Sequence, residues 1–268
     1  MIETIRSGAT AKHARVVLFD FDGTLSLIRS GWMDVMVPMM VGLLRQLKTG
    51  ETEEQLRAVV EDFVWKLTGK ETVYQMMALA DAIRQRGGEP LAPLAYKKMY
   101  LDLLWLRIES RVEDLKQRRA APDRYLVPGA RRLLEGLKQR GLKMYLASGT
   151  DSRDVQEEAR LLDIARYFDG GVYGALDDLD SFSKALLIQS IVSGAEYSGT
   201  EILGFGDGYV ELEEVKKVGG ITVGVASAEP ECQNVDPWKR QRLIGVGADY
   251  IVPNFRAHEQ LLETLFPT

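Results

Sequence analysis

Apolar and polar positions alternate in two different ways along this chain. Val16-Val17-Leu18-Phe19 is a short unbroken apolar run, which predicts a strand buried on both faces of a parallel sheet. After Leu25 such runs give way to apolar residues at helical spacing, which persist to about Tyr125. This stretch predicts a first helix from Trp32 to Leu47 and a second opened by Thr52-Glu53-Glu54-Gln55, which has the form of a capping box. A third runs from Glu71 to Arg86 and stops at Gly87-Gly88, and a fourth follows Pro90 through Leu115. Met76, Met77 and Trp105 are expected in the core of this bundle. From Val127 onward helix and strand patterns alternate. Strands are predicted at Lys143 to Ala147, Glu201 to Phe205, Ile221 to Val225 and Tyr250 to Val252. Helices are predicted at Gly129 to Gln139, Asp151 to Leu162, Ser183 to Val192, Val210 to Val218 and Arg256 to Leu265.

The expected fold class is therefore α/β. Residues 1–26 and 127–268 form a discontinuous, Rossmann-like parallel sheet core with helices on both faces, and residues 27–126 form an inserted all-α bundle. No internal repeat or low-complexity tract interrupts this plan.

Composition narrows the partners. The net charge of −5 over 268 residues leaves no electrostatic footprint for nucleic acid or an anionic membrane, so neither is expected. The longest apolar stretch, Val35 to Leu44, contains Pro38 and falls short of the roughly 20 residues of a membrane helix. Residues 1–14 are polar and lack the apolar segment of a secretory signal, so a cytoplasmic location is expected. Cys232 is alone and the only histidines are His13 and His258, which argues against an internal disulfide and a zinc site. Any metal is expected on carboxylates.

Those carboxylates cluster at predicted strand ends. Asp20 and Asp22 directly follow the first strand, share one side by its two-residue period, and precede Gly23, where the chain can bend sharply. In open α/β sheets ligands bind beyond the carboxyl ends of strands. Ser148 ends its strand and begins Ser-Gly-Thr-Asp, a helix start that suits both capping and anion binding. Lys184 opens a helix after a Gly- and Asp-rich loop, whereas Lys143 and Lys216 read as structural. Asp207 follows a short apolar strand as Asp20 does. Glu211, one turn later, either reaches a metal through water or belongs with Glu213 and Glu214 to an exposed helical face. The segment Glu229 to Arg242 carries Lys239, Arg240 and Arg242, and a solvated basic helix face is favoured there over contacts to substrate anions.

The run Asp20-Phe21-Asp22-Gly23-Thr24 resembles the first motif, Asp-x-Asp-Gly-Thr, of the haloacid dehalogenase-like hydrolases, most of which are Mg2+-dependent phosphatases. Ser148, Lys184 and Gly206-Asp207-Gly208-Tyr209-Val210-Glu211 match its later motifs in order, and the resemblance spans Arg15 to Phe255. The placement of the insert resembles the helical-cap branch, which includes phosphoglycolate phosphatases and β-phosphoglucomutases and in which the cap closes over the core. The resemblance implies that Asp20 attacks phosphorus to form an aspartyl phosphate, and that Asp22 protonates the leaving alkoxide and then activates water. It further implies that Ser148, Gly149, Lys184 and Thr24 bind the phosphoryl group, and that Mg2+ is held by Asp20, the Asp22 backbone carbonyl and Asp207. The family usually carries Asp where Glu211 stands. Arg29 and Trp32, just after the first motif, are the candidate specificity contacts. Asp22 favours phosphate esters, because dehalogenating members lack it. The expected function is hydrolysis of a small phosphorylated metabolite. A sugar-phosphate mutase and a non-catalytic phosphate-binding protein are the alternatives, and monomer and homodimer are both open.

Overall fold

The computed structural model describes residues 2–176, 183–193 and 197–267. Its sheet contains β1 (Glu3–Thr4), β2 (Val16–Phe19), β3 (Lys143–Asp151), β4 (Gly171–Ala175), β5 (Ile202–Gly206), β6 (Ile221–Val225) and β7 (Tyr250–Val252). The spatial order is β1-β7-β6-β5-β2-β3-β4, and every pairing is parallel except that of β1 with β7. β2 thus lies between β5 and β3, with Phe19 opposite both Phe205 and Leu146. The expected parallel core is present. β1 and β4 were not anticipated, since β1 has two residues and β4, Gly-Val-Tyr-Gly-Ala, has two glycines in five positions.

The helices are α1 (Met33–Arg45), α2 (Glu53–Leu67), α3 (Thr72–Gln85), α4 (Pro93–Lys116), α5 (Ala130–Gln139), α6 (Ser152–Leu161), α7 (Lys184–Ser193), α8 (Val210–Lys217), α9 (Pro237–Gly245) and α10 (His258–Leu265). The capping box at Thr52 forms as its spacing predicts: the Gln55 N–H donates to Thr52 Oγ1 and the Thr52 N–H to Gln55 Oε1. α9 was not assigned a helix of its own from sequence. It begins at Asp236-Pro237, where the Asp236 carboxylate accepts from the Trp238 and Lys239 N–H groups at 2.9 Å each and proline occupies the first helical position.

The chain divides into two compact units, Met1–Ser30 with Arg111–Thr268, and Gly31–Ser110. Residues 27–30 and 111–126, placed in the insert by the sequence pattern, thus lie within the larger unit. A physical reason is visible at Arg111, whose guanidinium donates to the carbonyls of Ile28 at 2.7 Å and Ser30 at 2.9 Å. In the smaller unit α1 packs on α2 and α3 through apolar stripes such as Met36, Met40 and Leu44 on α1 and Leu56, Val60 and Val64 on α2. Met76 is buried there, but Met77 and Trp105 are about two-fifths exposed and so do not belong to its core. Helical spacing alone does not separate neighbours such as Met76 and Met77, which lie 100° apart on a helix. Among the described residues no helix is long and apolar enough to cross a membrane.

In the larger unit, Val16 and Leu18 face Leu187, Ile188 and Ile191 of α7 and Val215 of α8. Val17 and Phe19 point to the opposite face and are equally buried. There Phe19 stacks on Phe205, with ring centroids 4.6 Å apart, and Phe205 meets Phe255 edge-on at 6.0 Å. This aromatic stack pins β2 against β5 immediately below the residues that end them. Phe205→Ala should cost about 3–5 kcal/mol of stability. Urea denaturation checks this, with a lowered midpoint and an unchanged slope as the expected outcome.

Candidate active site

Asp20 is the first residue beyond β2 and Asp207 the first beyond β5, so the register of two adjacent parallel strands delivers both acids to one end of the sheet. The Asp20 N–H still donates to the Phe205 carbonyl, at 2.9 Å, and thereby extends the strand pairing by one step. The chain then turns, with the N–H groups of Leu25 and Ser26 both donating to the Phe21 carbonyl at 2.8 and 2.9 Å. Gly23 has φ +75°, and a Cβ at this position would overlap the Asp207 carboxylate, so the turn requires glycine on both counts. Thr24 links the two strand ends: its hydroxyl accepts from the Asp207 N–H at 2.9 Å and donates to Asp20 Oδ2 at 3.3 Å.

The deepest charges form a triad. Lys184, the first residue of α7, donates from Nζ to Asp20 Oδ1 at 2.6 Å and to Glu211 Oε2 at 2.8 Å, and all three side chains are buried. Glu211 Oε1 accepts from the Gly208 N–H at 3.0 Å, and the space it fills exists because Gly206 has no Cβ. Glu211 therefore lies on the inward stripe of α8 with Leu212 and Val215, not on an exposed acidic face. Burial pushes the Asp20 carboxyl well above the usual carboxylate range; Lys184 opposes that shift, while Glu211 and Asp207 add to it. For Lys184 burial alone would lower the ammonium, but Asp20 and Glu211 reverse this and hold it above its ordinary value. Residues 177–182, most of the Asp-rich segment that precedes Lys184 in sequence, lie outside the described residues.

Asp22 has a different environment. Its Oδ2 accepts hydroxyl hydrogen bonds from Thr150 at 2.8 Å and Ser148 at 3.2 Å, while Oδ1 is buried without a partner among the described residues. The Thr150 N–H donates to Ser148 Oγ at 2.9 Å, which fixes that hydroxyl. Gly149 lies between them, where the β3–β4 pairing shifts register. Burial raises the Asp22 carboxyl, against the charge of Arg29 and the two hydroxyls. Arg29 is itself buried and donates to Glu158 Oε1 from Nη2 at 2.7 Å and from Nε at 3.0 Å, and to Asp154 at 2.9 Å. Burial pushes Glu158 up to about 7, although Arg29 pulls it down. Trp32 stands directly before α1 in the smaller unit and is partly buried.

Lys239 departs from the sequence reading. It is not on a solvated face: its Nζ donates to Asp207 Oδ2 at 2.8 Å and to Glu229 Oε1 at 2.7 Å, and its side chain is 13% exposed. The helix start at Asp236-Pro237 is the signal that would have placed it, since it puts Lys239 in the first turn of α9. Arg242, one turn on, lies over the rings of Tyr209 at 4.4 Å and Trp238 at 5.1 Å. Thr150, Glu158 and Glu229 also joined the site only once strands β3, β5 and β6 brought separate segments together.

Asp20, Asp207 and Glu211 each offer a carboxylate oxygen, and these oxygens lie within 4.8 Å of one another. An all-oxygen donor set fits a hard divalent cation such as Mg2+. Within that set both Glu211 oxygens accept hydrogen bonds, from Lys184 and the Gly208 N–H, both Asp20 oxygens do so from Lys184 and Thr24, and Asp207 Oδ2 accepts from Lys239.

The architecture recurs in solved structures. A predicted phosphoglycolate phosphatase from Haemophilus somnus matches with a TM-score of 0.60 at 16% identity, over 93% of this chain and 98% of its own. A predicted phosphatase from Clostridium acetobutylicum matches at 0.58 and 18%, over 93% and 99%. A putative β-phosphoglucomutase from Thermotoga maritima matches at 0.54 and 20%, over 94% and 100%. At these identities the likeness is one of fold. No curated protein matches the sequence. The sequence model of the haloacid dehalogenase-like hydrolases matches residues 14–219, a span that includes Asp20, Asp22, Ser148, Lys184, Asp207 and Glu211. The chain therefore belongs to the haloacid dehalogenase-like hydrolases.

Proposed function

We propose that this protein is a Mg2+-dependent phosphatase that hydrolyses a small phosphorylated metabolite through an aspartyl-phosphate intermediate. The observation that carries this reading is the convergence of two differently surrounded acids, Asp20 on an ammonium and Asp22 on two hydroxyls, at one end of the sheet. In the first half-reaction an Asp20 carboxylate oxygen bonds to phosphorus as the bond from phosphorus to the ester oxygen breaks. Asp22, raised by burial and with Oδ1 free of a partner among the described residues, gives its proton to the departing alkoxide. In the second, the Asp22 carboxylate takes a proton from water, which attacks the phosphoryl group and returns Asp20 as a carboxylate. In this reading Lys184 and Ser148 neutralise and orient the phosphoryl oxygens.

Mg2+ would be held by Asp20, Asp207 and the Asp22 backbone carbonyl, where it would supply charge neutralisation at the phosphoryl group. The site's own electrostatics favour such an ion: the charges of Glu211 and Asp207 both push Asp20 towards its neutral form, and a divalent cation relieves that repulsion. The similarity of fold to a predicted phosphoglycolate phosphatase and a predicted phosphatase is in keeping with the reading.

Free phosphate measured across sugar phosphates, nucleotides and phosphoglycolate tests the reaction, and distinguishes it from a mutase, which returns the phosphoryl group to its product. Asp20→Asn should reduce release to background, and Asp22→Asn should lower kcat by about 10²- to 10⁴-fold. Wild-type rates in either variant would overturn the assignment.

Lys184→Met tests the electrostatic part through stability. The variant leaves two buried carboxylates without their cation, and should cost about 3–5 kcal/mol near neutral pH with chelator present. The sign of the pH dependence follows from Asp20. Its folded pKa is already raised and rises further without Lys184, so its stabilising contribution is present below the unfolded value of about 3.9 and is lost as pH rises. The deficit of the variant should therefore be smallest near pH 4 and grow towards pH 7, as read by urea midpoints along that range.

A further inference from the structure

Lys239 has no assigned part in the proposed reaction, yet its ammonium touches Asp207, one of the proposed metal donors. It bonds Asp207 Oδ2 at 2.8 Å and Glu229 Oε1 at 2.7 Å, and the three side chains are 13%, 12% and 18% exposed. A lysine this enclosed persists only with counter-ions, and here it has two from different elements: Asp207 beyond β5 and Glu229 beyond β6. Asp236 at the N-terminus of α9 and the packing of Arg242 on Trp238 hold the first turn of the helix that carries it.

We infer that Lys239 is a resident counter-cation of Asp207 that competes with the divalent metal for this carboxylate and so sets the affinity of the site for Mg2+. The inference rests on the proposed metal-dependent reading and goes beyond it, because it concerns how tightly the ion is held. When a divalent cation approaches Asp207, Lys239 either shares the carboxylate and repels the ion or gives Asp207 up. Repulsion between like charges a few ångströms apart in a partly buried site is far stronger than in water. Glu229 makes the exchange possible, since it keeps the ammonium paired inside the site while Asp207 turns to the metal. The protein thus carries a charge on each of its two outer acids before any metal arrives: Lys184 on Asp20 and Lys239 on Asp207. Lys239 is a positioning residue in this scheme, acting through Asp207.

The two members of the pair act in opposite directions, which separates competition from simple support of Asp207. Mg2+ dissociation constants measured by calorimetry on the full, metal-stripped chain provide the test. Lys239→Met should bind Mg2+ about ten- to a hundredfold more tightly, and Glu229→Gln about tenfold more weakly, because the ammonium then loses its alternative partner and the site loses a negative charge. Lys239→Arg keeps the charge and should stay within a few-fold of wild type. If Lys239 merely orients Asp207, Lys239→Met weakens Mg2+ binding; that outcome, or an unchanged constant, overturns the inference. Lys239→Gln gives the same comparison if the Met variant does not fold. Asp207→Asn separates the two levels of argument: if it binds Mg2+ as wild type does, the metal reading fails and the inference falls with it. If it loses Mg2+ while Lys239→Met changes nothing, the inference alone fails.

Discussion

Everything at the end of this sheet depends on one ammonium, that of Lys184. Parallel strands β2 and β5 place Asp20 and Asp207 side by side, and the inward stripe of α8 adds Glu211 within 4.8 Å of both. Three carboxylates so close, two of them buried, repel one another and lose their hydration together. A cation that bonds two of them at 2.6 and 2.8 Å converts an untenable cluster into an ion triad tied to β2, α7 and α8. Glutamate at position 211 fits this arrangement: the extra methylene carries its carboxylate back past the bare Cα of Gly206, where one oxygen meets Lys184 and the other the Gly208 N–H.

The distribution of counter-charges also divides the roles of the acids. Asp20 and Asp207 each bond an ammonium, whereas Asp22 bonds hydroxyls and feels Arg29 only at a distance. At Asp20 the Lys184 ammonium opposes the upward push of burial, Glu211 and Asp207, whereas at Asp22 burial is opposed by the charge of Arg29 and two hydroxyls. Arg29 is kept from neutralising Asp22 outright because Glu158 and Asp154 occupy its guanidinium. Asp20 and Asp22 thus differ by surroundings and not by residue type.

How much of this was legible in the sequence follows from the range of the forces involved. The apolar run before Asp20, the short apolar strand before Asp207 and the capping box at Thr52 are local signals, and each formed as its pattern predicts. β4 carries too few strand-forming residues to register, and β1 exists only through its partner β7. The burial of Glu211 was available in principle, since it shares a helical stripe with Val215, four residues on, but Glu213 and Glu214 masked it. Lys239 was hidden for a different reason. A basic triplet looks solvated until a fold brings it counter-ions, and its partners Asp207 and Glu229 are 32 and 10 residues away.

Every charged group named in this network, from Asp20 to Lys239, lies in the larger of the two compact units, and none in Gly31–Ser110. Among the described residues the counter-charges named here come from the larger unit, and a substitution at Gly23, Gly206 or Glu211 alters the acids directly. Neighbours near 16–20% identity share the architecture over almost their whole length while bearing names as different as phosphoglycolate phosphatase and β-phosphoglucomutase, so the fold alone does not set the function.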